Sequence, residues 1–330
     1  MKYKKTPEIT SILVLVVTYL FLSGCVKTEN AINPESLKIW EIYNTGNGLG
    51  SDSVRTLFED NEGNIWVGTW NKGVCKFDGK MWTTYNVASG LIDNSVLCIV
   101  QDGYDRMWFG TEGGLSILSD NEWINNTNFG YVFALLKDYD DNMWVSSSNY
   151  AVLEYKNNTW DSYYDTICAR CNIVNVLFED NERNIWFGSE RDLKKITGQT
   201  ITSYTQSDGL PDGITGIMSM HQDTWGNIWI GTDMTGSVAR YNSGKLELVS
   251  LLTGSSINSV MSIASDNNGN VWFGLWGPQI MKYNGSVMKA YTVKDGLPGI
   301  NVTKILKDRQ GYLWFGTRGS GVAKYMPVLD

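Results

Sequence analysis

The sequence predicts an all-β, seven-bladed β-propeller with four-stranded blades, its ring closed by the N-terminal strand. Three observations carry the prediction. An aspartate is followed six residues later by a tryptophan seven times: Asp60/Trp66, Asp102/Trp108, Asp138/Trp144, Asp180/Trp186, Asp223/Trp229, Asp266/Trp272 and Asp308/Trp314. These tryptophans stand 42, 36, 42, 43, 43 and 42 residues apart, the length of one propeller blade. The seventh repeat lacks a fourth strand, and an unclaimed strand of matching character precedes the first.

Each repeat holds four short alternating runs, in the first case Val54 to Glu59, Asn64 to Thr69, Val74 to Phe77 and Met81 to Tyr85. The turn between the first two is built of Asp, Asn and Gly, which accept left-handed backbone and cap their own turn. A lone blade leaves both faces of its sheet uncovered, so it needs a neighbour on each side and the row must close. Repeat seven runs through Val302 to Lys307, Leu313 to Thr317 and Val322 to Tyr325, then stops. The surplus strand is Lys38 to Tyr43, whose Trp40/Tyr43 pair matches Trp82/Tyr85 and Trp160/Tyr163 of other fourth strands. Pairing it with the last blade removes an open sheet edge.

Ahead of the propeller (residues 38–330), residues 1–24 read as a secretory leader. Lys2, Lys4 and Lys5 precede an apolar run from Ile12 to Leu22, which is shorter than the roughly 20 residues of a membrane span. Leu22-Ser23-Gly24-Cys25 closes that run and resembles a lipobox. It predicts a lipid on Cys25, with 25–37 as a tether; the alternative is an ordinary leader and a free Cys25. Val26 is not the aspartate that marks inner-membrane retention. The expectation is a lipid anchor in the cell envelope, at the outer membrane of a diderm bacterium, on the periplasmic or the surface side. The whole chain has a net charge of −8; without residues 1–24 it keeps 24 basic and 34 acidic residues. No basic cluster offers a footprint for nucleic acid.

The repeat D-x-x-G-N-I-W-V-G-T, followed by G-V-x-K-F and an aromatic strand, resembles the two-component regulator propeller repeat. The likeness runs from about Lys38 to Met326. In that family such propellers are the extracytoplasmic sensor parts of hybrid histidine kinases, and oligosaccharides are the implied ligands. This chain shows one propeller, with no second span, kinase or receiver, so only the ligand-binding half of the likeness carries over.

A feature shared by all blades is architecture, and function is sought where one blade departs from the rest. The turn aspartates lack the twelve-residue loop and closing glutamate of a calcium site, so neither metal nor cofactor is expected. Four residues past the repeat tryptophan stand Trp70, Glu112, Ser148, Glu190, Asp233, Trp276 and Arg318. Blades six, seven and one are consecutive in a closed ring, which sets Arg318 between two tryptophans at the channel mouth. Indole faces pack sugar rings, and a guanidinium donates to hydroxyls or a carboxylate. The competing reading has the tryptophans covering loop backbone and Arg318 paired with an acid. Tyr150, Glu190 and Arg191 are further candidates on the same rim. The link between blades two and three is shortened, 126–130 against 86–95 in the preceding one; it either opens one side of the mouth or is neutral drift.

The remaining chemistry is sparse. Cys168 and Cys171 leave open a disulfide, and Cys75 and Cys98 read as buried free thiols. The only histidine, His221, occupies a column held elsewhere by Phe, Val, Leu and Ala, and reads as a core or channel residue. The expectation is a binder rather than an enzyme, its partner an oligosaccharide or other small polar ligand, with no catalytic residue. An envelope protein-interaction scaffold is the alternative, and a propeller lyase or hydrolase a more remote one.

Overall fold

The computed structural model describes residues 39–163, 173–190, 192–211, 216–233, 237–251 and 259–326. Seven four-stranded antiparallel sheets stand in sequence order around a central channel. In blade one, Val54–Glu59 pairs with Ile65–Thr69, then Val74–Phe77, then Trp82–Tyr85. The first strand of each blade lies innermost, and the fourth faces solvent. The leader, Cys25, Cys168 and Cys171 lie outside the described residues.

The aspartate–tryptophan spacing has a direct cause. In every blade the indole Nε1 donates to the turn aspartate's Oδ2, at 2.7 to 2.9 Å. The other carboxylate oxygen accepts the backbone N–H four residues on, again in all seven blades. The carboxylate thus closes the hairpin and satisfies the indole, whose ring is left free to wedge into the next blade. Trp66 packs among Val96, Ile99 and Phe109 of blade two, and Trp314 among Val54, Leu57 and Val67 of blade one. The core is seven such inter-blade clusters. The glycine two residues past most of the tryptophans permits the approach: a Cβ on Gly316 would lie 2.6 Å from Val54 Cγ1.

A second clasp between blades was not foreseen. The last residue of an inner strand reaches back and accepts a turn N–H of the preceding blade. Gln101 holds Asn61 N at 2.7 Å, Glu179 holds Tyr139 N at 2.9 Å, and Gln222 holds Asn181 N at 2.7 Å. Glu59 does the same for Arg309 N at 2.8 Å, across the closure of the ring.

Ring closure is as the sequence predicts. Ile39–Tyr43 pairs with Val322–Met326 as the fourth strand of blade seven, with Trp40 opposite Tyr325 and Tyr43 opposite Val322. Trp40 lies 4.8 Å from the Tyr325 ring, and Tyr43 stacks on Trp314 at 5.5 Å. A chain beginning at Gly46 should therefore melt well below one beginning at Val26 and aggregate. Tyr43→Ala alone should cost about 3 kcal/mol in chemical denaturation. Equal midpoints for the two chain lengths would show that the N-terminal strand does not hold the ring.

Candidate functional site

All seven inner strands carry a register shift after their first residue, as between Val54 and Thr56 or Val302 and Lys304. A bulge of this kind breaks the strict in–out alternation and re-aims a side chain. At least two successive residues of each strand consequently line the channel, which holds a cavity of about 710 Å³. Most of these side chains are uncharged, among them Leu97, Phe133, Met218 and Met261. Arg55 and Lys304 are the two charged ones. Higher on the wall, Asp233 is the one acid lining the cavity among the described residues, and it accepts a short hydrogen bond from Ser259 Oγ.

The mouth residues are pinned by backbone. Trp70 N donates to Ser53 O at 3.1 Å, Trp276 N to Ser259 O at 2.9 Å, and Arg318 N to Asn301 O at 3.1 Å. Each acceptor immediately precedes an inner strand, so the bond holds the residue over the rim of the channel. Trp70 and Trp276 line the cavity. The predicted trio does come together: Arg318 Cζ lies 4.5 Å from the centroid of Trp70 and 5.0 Å from that of Trp276.

The manner of the contact differs from the expected one in two respects. The guanidinium lies over the indoles instead of standing beside them, because the ring quadrupole attracts a cation to its face. Arg318 makes no ion pair among the described residues, so the reading that pairs it with an acid does not apply. The line also extends further than the sequence suggested. Arg55 Cζ sits 4.2 Å from the Trp70 centroid, and its Nη1 donates to Glu112 Oε1 at 2.8 Å and Ser95 Oγ at 2.9 Å. Glu112, Arg55, Trp70, Arg318 and Trp276 thus form one chain of contacts across blades two, one, seven and six. Trp70 Nε1 is buried without a hydrogen-bond partner among the described residues, as is Trp82 Nε1 of a fourth strand.

The weaker candidates stand apart. Tyr150 packs edge-on against Phe129, with ring centroids 5.7 Å apart. Glu190 is exposed and does not line the cavity, and Arg191 lies outside the described residues. The short link between blades two and three folds as a single 3-10 turn, Thr127–Phe129, that buries Phe129. Of the thiols, Cys75 is buried as expected, while Cys98 lines the cavity and is only partly buried. Burial pushes the Cys98 thiol up to about 12, which keeps it protonated and inert.

The two component regulator propeller family matches residues 48–71, 90–113, 254–277 and 296–319. Each matched stretch spans an inner strand, the aspartate turn and the tryptophan, and ends one residue past the mouth position. The chain carries two-component regulator propeller repeats. Among solved structures, the extracellular domain of a hybrid two component system of B. thetaiotaomicron is 17% identical, with a TM-score of 0.74 over 88% of this chain and 42% of that one. This propeller thus spans about two fifths of that domain's length. Virginiamycin B lyase from Staphylococcus aureus is 12% identical, with a TM-score of 0.72 over 88% of this chain and all of the lyase. PorZ, a surface component of the type-IX secretion system of Porphyromonas gingivalis, is 17% identical, with a TM-score of 0.68 over 84% of this chain and 46% of that one. At these identities the likeness is one of fold. No curated protein matches the sequence.

His221 sits on the inner strand of blade five but does not line the cavity; its Nε2 lies 2.7 Å from Ser265 Oγ of blade six. Burial lowers its pKa to about 4, reinforced by Lys307 and Lys304 and opposed by Asp223. Below about pH 6.5 the unfolded chain takes up a proton that the native histidine refuses. Stability should therefore fall as pH drops from about 6.5 to about 4, and this contribution should then level off. His221→Gln, which keeps a partner for Ser265, should remove that part of the slope in urea midpoints measured across the range. Superimposable profiles for the two proteins would mean that the histidine is not held neutral.

Proposed function

We propose that this propeller is an extracytoplasmic ligand-binding module, anchored through a lipid on Cys25, that captures an oligosaccharide or similar small polar ligand at its channel mouth. One observation carries the reading: Arg318 is held over both Trp70 and Trp276, at the rim of a cavity large enough for a small molecule. A guanidinium held over indole rings, with no acid paired to it among the described residues, keeps N–H donors available for hydroxyls or a carboxylate. The indoles then act as apolar walls beside it. Such aromatic and arginine clusters are where binding energy concentrates.

Two further points support a sensor-like or capture role over catalysis. The B. thetaiotaomicron match is itself an extracellular domain of a two component system. His221 lies off the cavity wall, and Asp233 is the one acid on it among the described residues. The leader and lipobox support an envelope location, with the outer membrane as the site of the anchor.

A glycan array on soluble protein beginning at Val26, followed by calorimetry on the hits, tests the proposal. Trp70→Ala and Trp276→Ala should each weaken binding by about 1–3 kcal/mol. Arg318→Ala should weaken acidic ligands more than neutral ones, and Cys25→Ser should release the full chain to the soluble fraction. Unchanged affinity with lowered melting temperatures would make the cluster packing alone. Turnover of a hit would make the protein an enzyme, and a blank array would favour a protein-interaction scaffold.

A further inference from the structure

Lys304 is the departure that the mouth does not explain. Its column in the other six inner strands holds Thr56, Cys98, Ala134, Val176, Ser219 and Ser262, all small and uncharged. The bulge turns this column into the cavity, and Lys304 lines it. Among the described residues its amine makes no hydrogen bond and no ion pair. Cys98, the neighbour whose charge would help it, is a neutral thiol. Burial accordingly pulls the amine below the usual lysine range. An unpaired cation in such a place is costly to the fold and is kept where it has a partner to meet.

That partner is defined by what surrounds the lysine. Lys304 pairs in register with Gly316 of the neighbouring strand, and Arg318 comes two residues after Gly316, just past the end of that strand. Blade seven thus carries two cations that make no ion pair among the described residues, one at the rim and one lining the cavity. They do so in a chain whose net charge is −8. The one acid on the wall among the described residues, Asp233, belongs to blade five and is engaged by Ser259.

We infer that the cavity takes the anionic group of a small ligand, the carboxylate or sulfate of an acidic sugar, which passes Arg318 and ends on the amine of Lys304. This rests on the mouth being the ligand's entrance. Arg318 meets the charge first and orients it, and Lys304 supplies the deep contact, strengthened by the low dielectric of the channel. A neutral sugar of the same shape would leave Lys304 unpaired and bind less well.

The test uses protein carrying ¹³Cε-lysine, titrated with glucuronate, sulfate and glucose at fixed ionic strength. One lysine signal, absent in Lys304→Met, should move saturably with glucuronate and sulfate and stay still with glucose. Lys304→Met should melt higher than the parent without anion, and should lose the anion-induced rise in melting temperature; Lys304→Arg should retain that rise. A Lys304 signal indifferent to both anions up to tens of millimolar would overturn the inference. The two readings fail separately. If Trp70→Ala and Trp276→Ala weaken glycan binding while Lys304 ignores anions, the mouth stands and the anion site falls. If Lys304 responds to anions while the tryptophan variants bind as before, the anion site stands and the mouth assignment falls.

Discussion

The hydrogen bond from each repeat tryptophan to the aspartate six residues before it is the contact on which the rest of the ring depends. A buried carboxylate and a buried indole N–H are each destabilising alone, by about 1–3 kcal/mol or more. Placed at the two ends of a tight hairpin they satisfy one another, and the turn N–H groups complete the carboxylate's coordination. The hairpin is thereby fixed, and the indole ring is aimed at the neighbouring blade. The glycine that follows, the inter-blade clusters and the N-terminal strand in blade seven all presuppose tryptophans held in that orientation.

With the architecture carried by repeated positions, the channel is free to vary. The bulge shared by all inner strands lets at least two successive residues of each blade reach the cavity. Blades two to six spend most of these on apolar or small residues. Blades one and seven place Arg55 and Lys304 there, and the same two blades supply Trp70 and Arg318 at the mouth. The cations are concentrated on one side of the ring, and their contacts continue into Trp276 of blade six.

The fold was legible because period, strand pattern and the leftover strand Lys38 to Tyr43 all agree, and a strand displaced by one residue would turn its core face to solvent. The trio Trp70, Trp276 and Arg318 was legible because equivalent positions in a closed ring are neighbours in space. Arg55 and Lys304 were missed for a physical reason. Strict alternation assigns only one of two successive residues to the channel, and a bulge is invisible to that rule. The signal was nonetheless present: each is a cation in a column otherwise uncharged, and the column test applied to the mouth would have found both. The clasps from Gln101, Glu179, Gln222 and Glu59 were unreadable for another reason, because their partners are backbone N–H groups of the preceding blade, which carry no side-chain signature.

The central claim is that repeated residues build the ring and departures from the repeat do not. Trp272 and Trp276 test it most directly, four residues apart in one blade: Trp272 bonds to Asp266, while Trp276 stands at the mouth. Urea unfolding of Trp272→Phe and Trp276→Phe compares them with the same change of side chain. The account predicts a loss of about 1–3 kcal/mol for Trp272→Phe, from the stranded Asp266, and a change within about 0.5 kcal/mol for Trp276→Phe. Equal losses at the two positions would contradict it.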